Sequence, residues 1–150
     1  RALQPKWVVD LYAGVGPIAC FLSGAAQHVI AVEMDRASVQ AAEANMRRNR
    51  LSNVEVRCGA AEGDALAALP GRPDVVVVDP PRAGLLPKAR TRLLSLGAPN
   101  LAYVSCNPAT LARDLEELLA AGYELTAVRP IDMFPHTYHI ETVTFLQRPA

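Results

Sequence analysis

The sequence predicts an α/β protein with a doubly wound, mostly parallel sheet, and three observations support that prediction. Apolar, β-branched segments alternate with segments of helical periodicity along the whole chain. The segment DVVVVD at 74–79 is continuously apolar between its two acids, which is typical of a central parallel strand that is buried on both faces. The first strand runs directly into a glycine turn and a helix, as in doubly wound sheets that bind nucleotides.

The elements follow in order from their periodicity and their capping residues. Short apolar segments predict seven strands, at 7–12, 28–33, 53–58, 74–79, 101–105, 123–132 and 139–146. Helical periodicity predicts helices at 17–24, 36–50, 62–69, 87–96 and 109–121. Asp35 and Asn107 suit the N-cap of the helices that follow them, and Pro108 suits the next position. The last two strands have no helix between them, so we expect them to pair antiparallel.

Two helices carry stripes that predict which face packs on the sheet. The stripe of the helix at 36–50 consists of Val39, Ala42, Met46 and Asn49. The stripe of the helix at 109–121 consists of Leu111, Leu115, Leu118 and Leu119. Glu43 and Arg47 lie four residues apart, which predicts an exposed ion pair.

The composition excludes several classes of protein. The chain has 150 residues, of which 51% are hydrophobic and 20% charged, as expected for a globular domain. Its 15 basic and 15 acidic residues cancel, so the net charge gives no sign of nucleic-acid binding. No apolar run approaches the roughly 20 residues that span a bilayer. The three cysteines, Cys20, Cys58 and Cys106, form no Cys-x-x-Cys pair, which argues against a zinc site and favours a reducing, cytoplasmic compartment.

The glycine turn after the first strand predicts a nucleotide-type site. Gly14 and Gly16 allow close approach of a ligand, and Pro17 suits the first position of the helix. Glu33, at the end of the second strand, suits hydrogen bonds from ribose hydroxyls. The same layout serves dinucleotides and S-adenosylmethionine, and a simple tight turn is the third interpretation.

Two further segments follow the fourth and fifth predicted strands, so the same sheet edge should hold them. Asp79-Pro80-Pro81 resembles a motif of methyltransferases that act on bases or polar nitrogen, although two prolines can also simply end a strand. Cys106 lies between a strand and a helix N-terminus, where free N–H groups favour a thiolate. We therefore expect Cys106 to be a nucleophile, and Cys20 and Cys58 to be buried and inert.

A polar segment, FPHTYHIE at 134–141, precedes the last strand. Glu141 suits the role of a base if its side chain faces the crevice. His136 and His139 suit positioning of a substrate or a phosphate. They are weak candidates for a metal site, because the sequence shows no third ligand near them. A solvated loop is the alternative interpretation.

Five motifs in this order resemble the catalytic domain of the S-adenosylmethionine-dependent RNA 5-methyluridine methyltransferases. They are Asp10-Leu11-Tyr12-x-Gly14-x-Gly16, Val32-Glu33, Asp79-Pro80-Pro81-Arg82-x-Gly84, Ser105-Cys106-Asn107-Pro108-x-Thr110-Leu111-x-Arg113-Asp114 and Phe134-Pro135-His136-Thr137-x-His139-x-Glu141. The resemblance spans nearly the whole chain. It implies a class I, Rossmann-like methyltransferase fold and transfer of a methyl group to carbon 5 of a uridine in tRNA or rRNA.

The resemblance also implies roles for individual residues. Cys106 would add covalently to the uracil ring, and Glu141 would remove the carbon-5 proton. The residues that would contact S-adenosylmethionine are Asp10, Tyr12, Gly14, Gly16, Pro17, Glu33 and Asp79. Contacts to the substrate fall to Arg82, Asn107 and His136. Ala60 occupies the place where related methyltransferases often carry an acid or amide near the adenine, which leaves that contact open.

The chain resembles only the catalytic part of this family. We expect residues 1–150 to be a fragment without the amino-terminal RNA-binding domain, to act as a monomer away from membranes, and to bind RNA mainly through parts outside this chain. Two other functions stay open from the residues alone. One is an amino-directed methyltransferase that uses the Asp79-Pro80-Pro81 turn, and the other is a non-catalytic nucleotide-binding module.

Overall fold

The computed structural model describes residues 5–67 and 69–149. Those residues form seven strands: β1 (Trp7–Leu11), β2 (His28–Glu33), β3 (Val54–Cys58), β4 (Val75–Val78), β5 (Asn100–Ser105), β6 (Glu124–Ile131) and β7 (Glu141–Gln147). They also form four α-helices: α1 (Pro17–Leu22), α2 (Arg36–Arg48), α3 (Pro87–Leu96) and α4 (Pro108–Ala120). The two longest helices have 13 residues, and no described helix is long and apolar enough to cross a membrane.

The seven strands form one sheet in the order β3-β2-β1-β4-β5-β7-β6. The first five strands pair in parallel, whereas β7 pairs antiparallel with both β5 and β6. The predicted doubly wound sheet with an antiparallel terminal hairpin is therefore confirmed. The hairpin folds so that its second strand, and not its first, joins the parallel part.

Helices cover both faces of the sheet. On one face, Val8, Val29 and Val77 pack with Ala19 of α1 and Met46 of α2. On the other face, the larger core cluster joins the opposite sides of β1, β2, β4 and β5 to apolar residues of α3 and α4. The valines of β4 contribute to both clusters, as the continuous apolar run predicts.

The helix predicted at 62–69 is wrong. Only one 3-10 turn, Asp64–Leu66, forms there, and residue 68 lies outside the described residues. A single turn suffices to bury Leu66, which is 1% exposed. The Pro70-Gly71 pair that follows disfavours a longer helix.

The prediction that the stripes are buried is also wrong at two positions. Asn49 is exposed and lies at the C-cap of α2, where its side chain donates to the carbonyl of Asn45. Leu119 is 41% exposed, because the buried face of α4 is narrower than predicted and passes through Leu111, Asp114 and Leu118. The predicted pair of Glu43 and Arg47 forms at 3.8 Å.

Candidate active site

The ends of four parallel strands meet at one edge of the sheet. Leu11, the last residue of β1, pairs with Val32 of β2 and Val78 of β4, and Val78 pairs with Tyr103 of β5. This register brings the residues at and after the ends of these strands to one edge of the sheet, as the sequence predicts. They are Tyr12, Gly14, Gly16, Glu33, Asp79 and Cys106.

The glycine loop after β1 has left-handed backbone at three positions, with φ of +64° at Tyr12, +54° at Gly14 and +85° at Gly16. A Cβ at Gly16 would lie 2.5 Å from Cε of Met46, so α2 packs directly against this glycine. Glu33 holds the loop to β2, because its carboxylate accepts hydrogen bonds from the Gly14 N–H at 2.9 Å and from the Asp35 N–H at 2.8 Å. Pro17 is exposed at the first position of α1.

A pocket of about 190 Å³ opens beside this loop. Tyr12 and Glu33 line it on one side, and Gly84 and Leu86 on the other. Glu62, which the sequence prediction missed, lines it as well, whereas Ala60 does not lie among the lining residues. Burial, followed by the nearby charge of Glu62, raises the pKa of Tyr12 to about 12. An acid after β3 is the sequence signal that could have identified Glu62.

Three carboxyl groups lie near one another at the ends of β1, β4 and β7. Asp10 is 0% exposed, and neither of its oxygens has a hydrogen-bond partner, although the nearby Ala19 N–H stabilises the charge somewhat. Burial raises the pKa of Asp10 to about 7, and Asp79 adds to that rise. Burial, and then repulsion from Glu141, raises the pKa of Asp79. Burial and the nearby acids therefore favour the protonated forms of Asp10 and Asp79 at this edge.

The predicted nucleophile and base adjoin the last residue pair of β5 and β7. The antiparallel register ends with Ser105 opposite Thr142. Cys106 directly follows Ser105, and Glu141, the first residue of β7, directly precedes Thr142. Both residues are half-buried, between the interior and solvent. The topology therefore brings a thiol and a carboxylate to the edge that carries the glycine loop.

The other two cysteines differ from the prediction in one respect. Cys20 is half-buried in α1, and its Sγ lies 3.7 Å from Sδ of Met46. Cys58 is exposed rather than buried, because it ends β3, the edge strand of the sheet.

The predicted substrate residues lie on three loops, and the loop that bears Arg82 contacts the other two. Arg82 Nη1 lies 3.4 Å from Nδ1 of His139. Asn107 caps α4 through its Oδ1, which accepts from the Ala109 N–H, and its Nδ2 donates to the carbonyl of Arg82 at 3.3 Å. His136 is exposed in the loop at 132–140 and has a φ of +67°.

A buried ionic cluster, which the sequence prediction missed, lies behind these loops. Asp114 of α4 is 0% exposed, and its carboxylate accepts from the Leu85 N–H at 2.7 Å and the Tyr103 hydroxyl at 2.6 Å. Arg90 donates to it at 3.0 Å, and Arg113 at 2.8 Å. The cluster joins α3, α4 and β5 to the loop that follows β4. Its sequence signal is an acid on the apolar stripe of α4.

Comparisons with known proteins agree with this architecture. A family model described as tRNA (uracil-5-)-methyltransferase matches residues 4–149. An uncharacterized RNA methyltransferase of Clostridium acetobutylicum is 42% identical over 146 residues, which are 95% of this chain and 31% of the relative. One from Protochlamydia amoebophila is 44% identical over 146 residues, which are 95% of this chain and 33% of the relative. The chain thus spans about a third of the length of these relatives.

A solved structure of a methyltransferase has a similar fold to this chain. The tRNA (uracil-54, C5)-methyltransferase of Pyrococcus abyssi, in complex with S-adenosyl-L-homocysteine, superposes with a TM-score of 0.83 at 33% identity. The match covers 94% of this chain and 34% of that one. The family model extends over nearly all of the sequence, and the relatives share more than two-fifths of their aligned residues with it. This chain therefore belongs to the tRNA (uracil-5-)-methyltransferase family.

Proposed function

We propose that this chain is the catalytic domain of an enzyme that methylates carbon 5 of a uridine in RNA, with S-adenosylmethionine as the methyl donor. One observation carries the proposal: the last pair of the β5–β7 register, Ser105 with Thr142, adjoins Cys106 on one segment and Glu141 on the other, at the edge that holds the glycine loop. The Pyrococcus abyssi relative, named for methylation of a uracil at C5 and bound to S-adenosyl-L-homocysteine, supports it.

The residues at the glycine loop fit the methyl donor. Each oxygen of Glu33 accepts one backbone hydrogen bond and keeps capacity for a ribose hydroxyl. Burial helps Asp10 and Asp79 retain their protons, and a cationic ligand bound beside them would favour their charged forms. Tyr12 contributes a wall of the pocket. S-adenosylmethionine, when bound, would supply carbon 5 with the methyl group of its positively charged sulfur, and breakage of that S–C bond would leave neutral S-adenosylhomocysteine.

Cys106 makes the uracil ring reactive. Carbon 5 of uracil is a poor nucleophile, so a covalent step is required first. The Cys106 thiolate adds to carbon 6 and forms an S–C bond, and the electron pair of the ring double bond moves to carbon 5 as an enolate. The capped N-terminus of α4 lies directly after this thiol and stabilises its negative charge.

Glu141 completes the reaction after carbon 5 has gained its methyl group. Its carboxylate removes the remaining proton from carbon 5, and the electrons of that C–H bond form the ring double bond again. The S–C6 bond breaks in the same elimination and returns the thiolate of Cys106. Asp79 lies close enough to Glu141 for the charge of Glu141 to raise the pKa of Asp79, after the larger effect of burial.

Covalent trapping tests the mechanism. RNA containing 5-fluorouridine has no proton to lose at carbon 5, so the adduct with the full-length protein should persist and be found by mass spectrometry. We expect it with the wild-type protein and with Cys58→Ala, which removes an exposed thiol other than that of Cys106, and not with Cys106→Ala. A Cys106→Ala protein that methylates uridine at the wild-type rate would contradict the proposal.

Calorimetry tests the cofactor. S-adenosyl-L-homocysteine should bind the wild-type protein, and NAD should not, because the described residues that line the pocket include two acids and no basic side chain for a pyrophosphate. Tight binding of NAD without binding of S-adenosyl-L-homocysteine would overturn the assignment.

A further inference from the structure

An exposed aromatic patch lies on the loop at 132–140. Tyr138 is 84% exposed and Phe134 is 48% exposed. The ring of His139 lies between them, 4.2 Å from the Tyr138 ring and 6.3 Å from the Phe134 ring, centroid to centroid. Arg82 approaches the same imidazole from the loop after β4, at 3.4 Å. We call Arg82, Phe134, Tyr138 and His139 the aromatic patch.

The aromatic patch adjoins both halves of the candidate catalytic pair. His139 precedes Glu141 by two residues on the same chain segment. On the other side, the carbonyl of Arg82 accepts hydrogen bonds from Asn107 and from Thr110 at 3.1 Å. Asn107 directly follows Cys106. Anything bound on the patch therefore lies beside the base that Cys106 attacks.

The patch contributes little to holding the fold together. A side chain that is 84% exposed removes little apolar area from water, so burial does not explain why a tyrosine stands at position 138. The ring is nevertheless held from one side, because the His139 ring packs on it with an angle of 38° between the planes. An aromatic ring with one supported face and one free face, next to a guanidinium, is the arrangement that binds an unpaired base and its phosphate.

We propose that Tyr138 is a stacking surface for an unpaired nucleotide next to the target uridine, and that Arg82 contacts the phosphate between the two. This inference rests on the proposed function and adds the conformation of the substrate. Because only an unstacked base offers its face to a side chain, the RNA is single-stranded at the nucleotide beside the target. Tyr138 is a binding residue in this account and takes no part in the chemistry.

The test uses the full-length protein and a short single-stranded RNA with one 5-fluorouridine and a 2-aminopurine on its 5′ or 3′ side. Stacking on Tyr138 should quench the 2-aminopurine fluorescence for one of the two probes. In Tyr138→Ala we expect this quenching to be lost and the half-saturating RNA concentration for adduct formation to rise roughly five- to hundredfold. Tyr138→Phe should behave like the wild type, because it keeps the ring.

Phe21→Ala is the matched control, because Phe21 is 83% exposed but lies on α1, outside the patch. It should leave both the quenching and the half-saturating concentration unchanged. The inference would be overturned if Tyr138→Ala kept the wild-type quenching and half-saturating RNA concentration. It would also be overturned if Tyr138→Ala lost as much affinity for a fully paired duplex as for the single-stranded RNA. If the wild-type protein forms no adduct through Cys106 but still quenches the probe through Tyr138, the proposed chemistry fails while the stacking surface stands.

Discussion

The buried carboxylate of Asp114 accepts a hydrogen bond from the backbone N–H of Leu85 at 2.7 Å. Asp114 belongs to α4, the helix that begins directly after Asn107, whereas Leu85 belongs to the loop that carries Asp79 and Arg82. Arg113 strengthens this connection by donating to the carbonyl of Ala83 at 2.9 Å. Hydrogen bonds therefore join the helix that follows the candidate nucleophile to the loop that bears Arg82.

Removal of the Asp114 charge should destabilise the protein strongly. In Asp114→Asn, Arg90, which is 7% exposed, loses a charged partner inside the protein, so we expect the free energy of unfolding to fall by about 3 kcal/mol in urea titrations. Glu117→Gln is the control, because Glu117 binds the same arginine from a half-exposed position. It should cost less than about 1 kcal/mol. Equal losses in the two variants would contradict the role given to the buried carboxylate.

Gly84→Ala should disrupt the same connection by steric collision. Gly84 has a φ of +75°, and a Cβ there would lie 2.5 Å from Oδ2 of Asp114 and 2.7 Å from Nη2 of Arg113. Gly97→Ala is the control, since Gly97 has a similar φ of +64° but open space around its Cβ position. Backbone strain alone should cost Gly97→Ala about 1–2 kcal/mol.

We expect the free energy of unfolding to fall clearly further in Gly84→Ala than in Gly97→Ala, as measured by thermal or urea unfolding. The difference between the two variants isolates the collision with the cluster from the shared backbone strain. Similar values for both would mean that Asp114 and Arg113 move aside without cost.

Asp10 should make the protein less stable as the pH rises. Its pKa is about 7 in the folded protein and 3.8 in an unperturbed chain, so the folded state binds more protons between these values. The free energy of unfolding therefore falls by up to about 4 kcal/mol between about pH 4 and about pH 7, because the two pKa values differ by this much. Above about pH 7 it levels off.

Asp10→Asn should flatten this fall, which urea titrations at several pH values would measure. Asp35→Asn should retain it, because hydrogen bonds from the Ser38 N–H and side chain lower the pKa of Asp35, so its contribution has the opposite sign. The stability that Asp35 contributes is present at neutral pH and is lost in acid. An unchanged profile in Asp10→Asn would show that the buried carboxyl does not titrate in this range.

Glu141→Gln should slow the last step of the proposed reaction rather than the first. An amide cannot take the carbon-5 proton, so the methylated adduct through Cys106 should accumulate with ordinary uridine RNA, and turnover should drop by about a hundredfold or more. Gel analysis and mass spectrometry would detect the adduct. Glu124→Gln, at the opposite end of the β6–β7 hairpin, should turn over normally. Rapid turnover of Glu141→Gln without an adduct would remove Glu141 from the role of base.

Local patterns in the sequence predict most of the secondary structure and the chemistry-bearing motifs. The strand periodicity, the glycine loop, the Asp35 cap and the Asn107-Pro108 helix start depend only on neighbouring residues, and the structure confirms them. The antiparallel terminal hairpin also follows from the missing helix between its strands. The short turn at Asp64–Leu66 was mispredicted, because single-turn helices carry too few residues to show a period.

Other properties depend on contacts between residues far apart in the chain. Because β7, and not β6, pairs with β5, Glu141 at the start of β7 lies at the sheet edge that carries Cys106. Asp114 is buried because Arg90 of α3 and the backbone of Leu85 neutralise and solvate it, and neither partner can be inferred from the periodicity of α4. The burial of a charge is decided by its partners in space, so only the folded chain shows that this acid is interior and that it holds the site together.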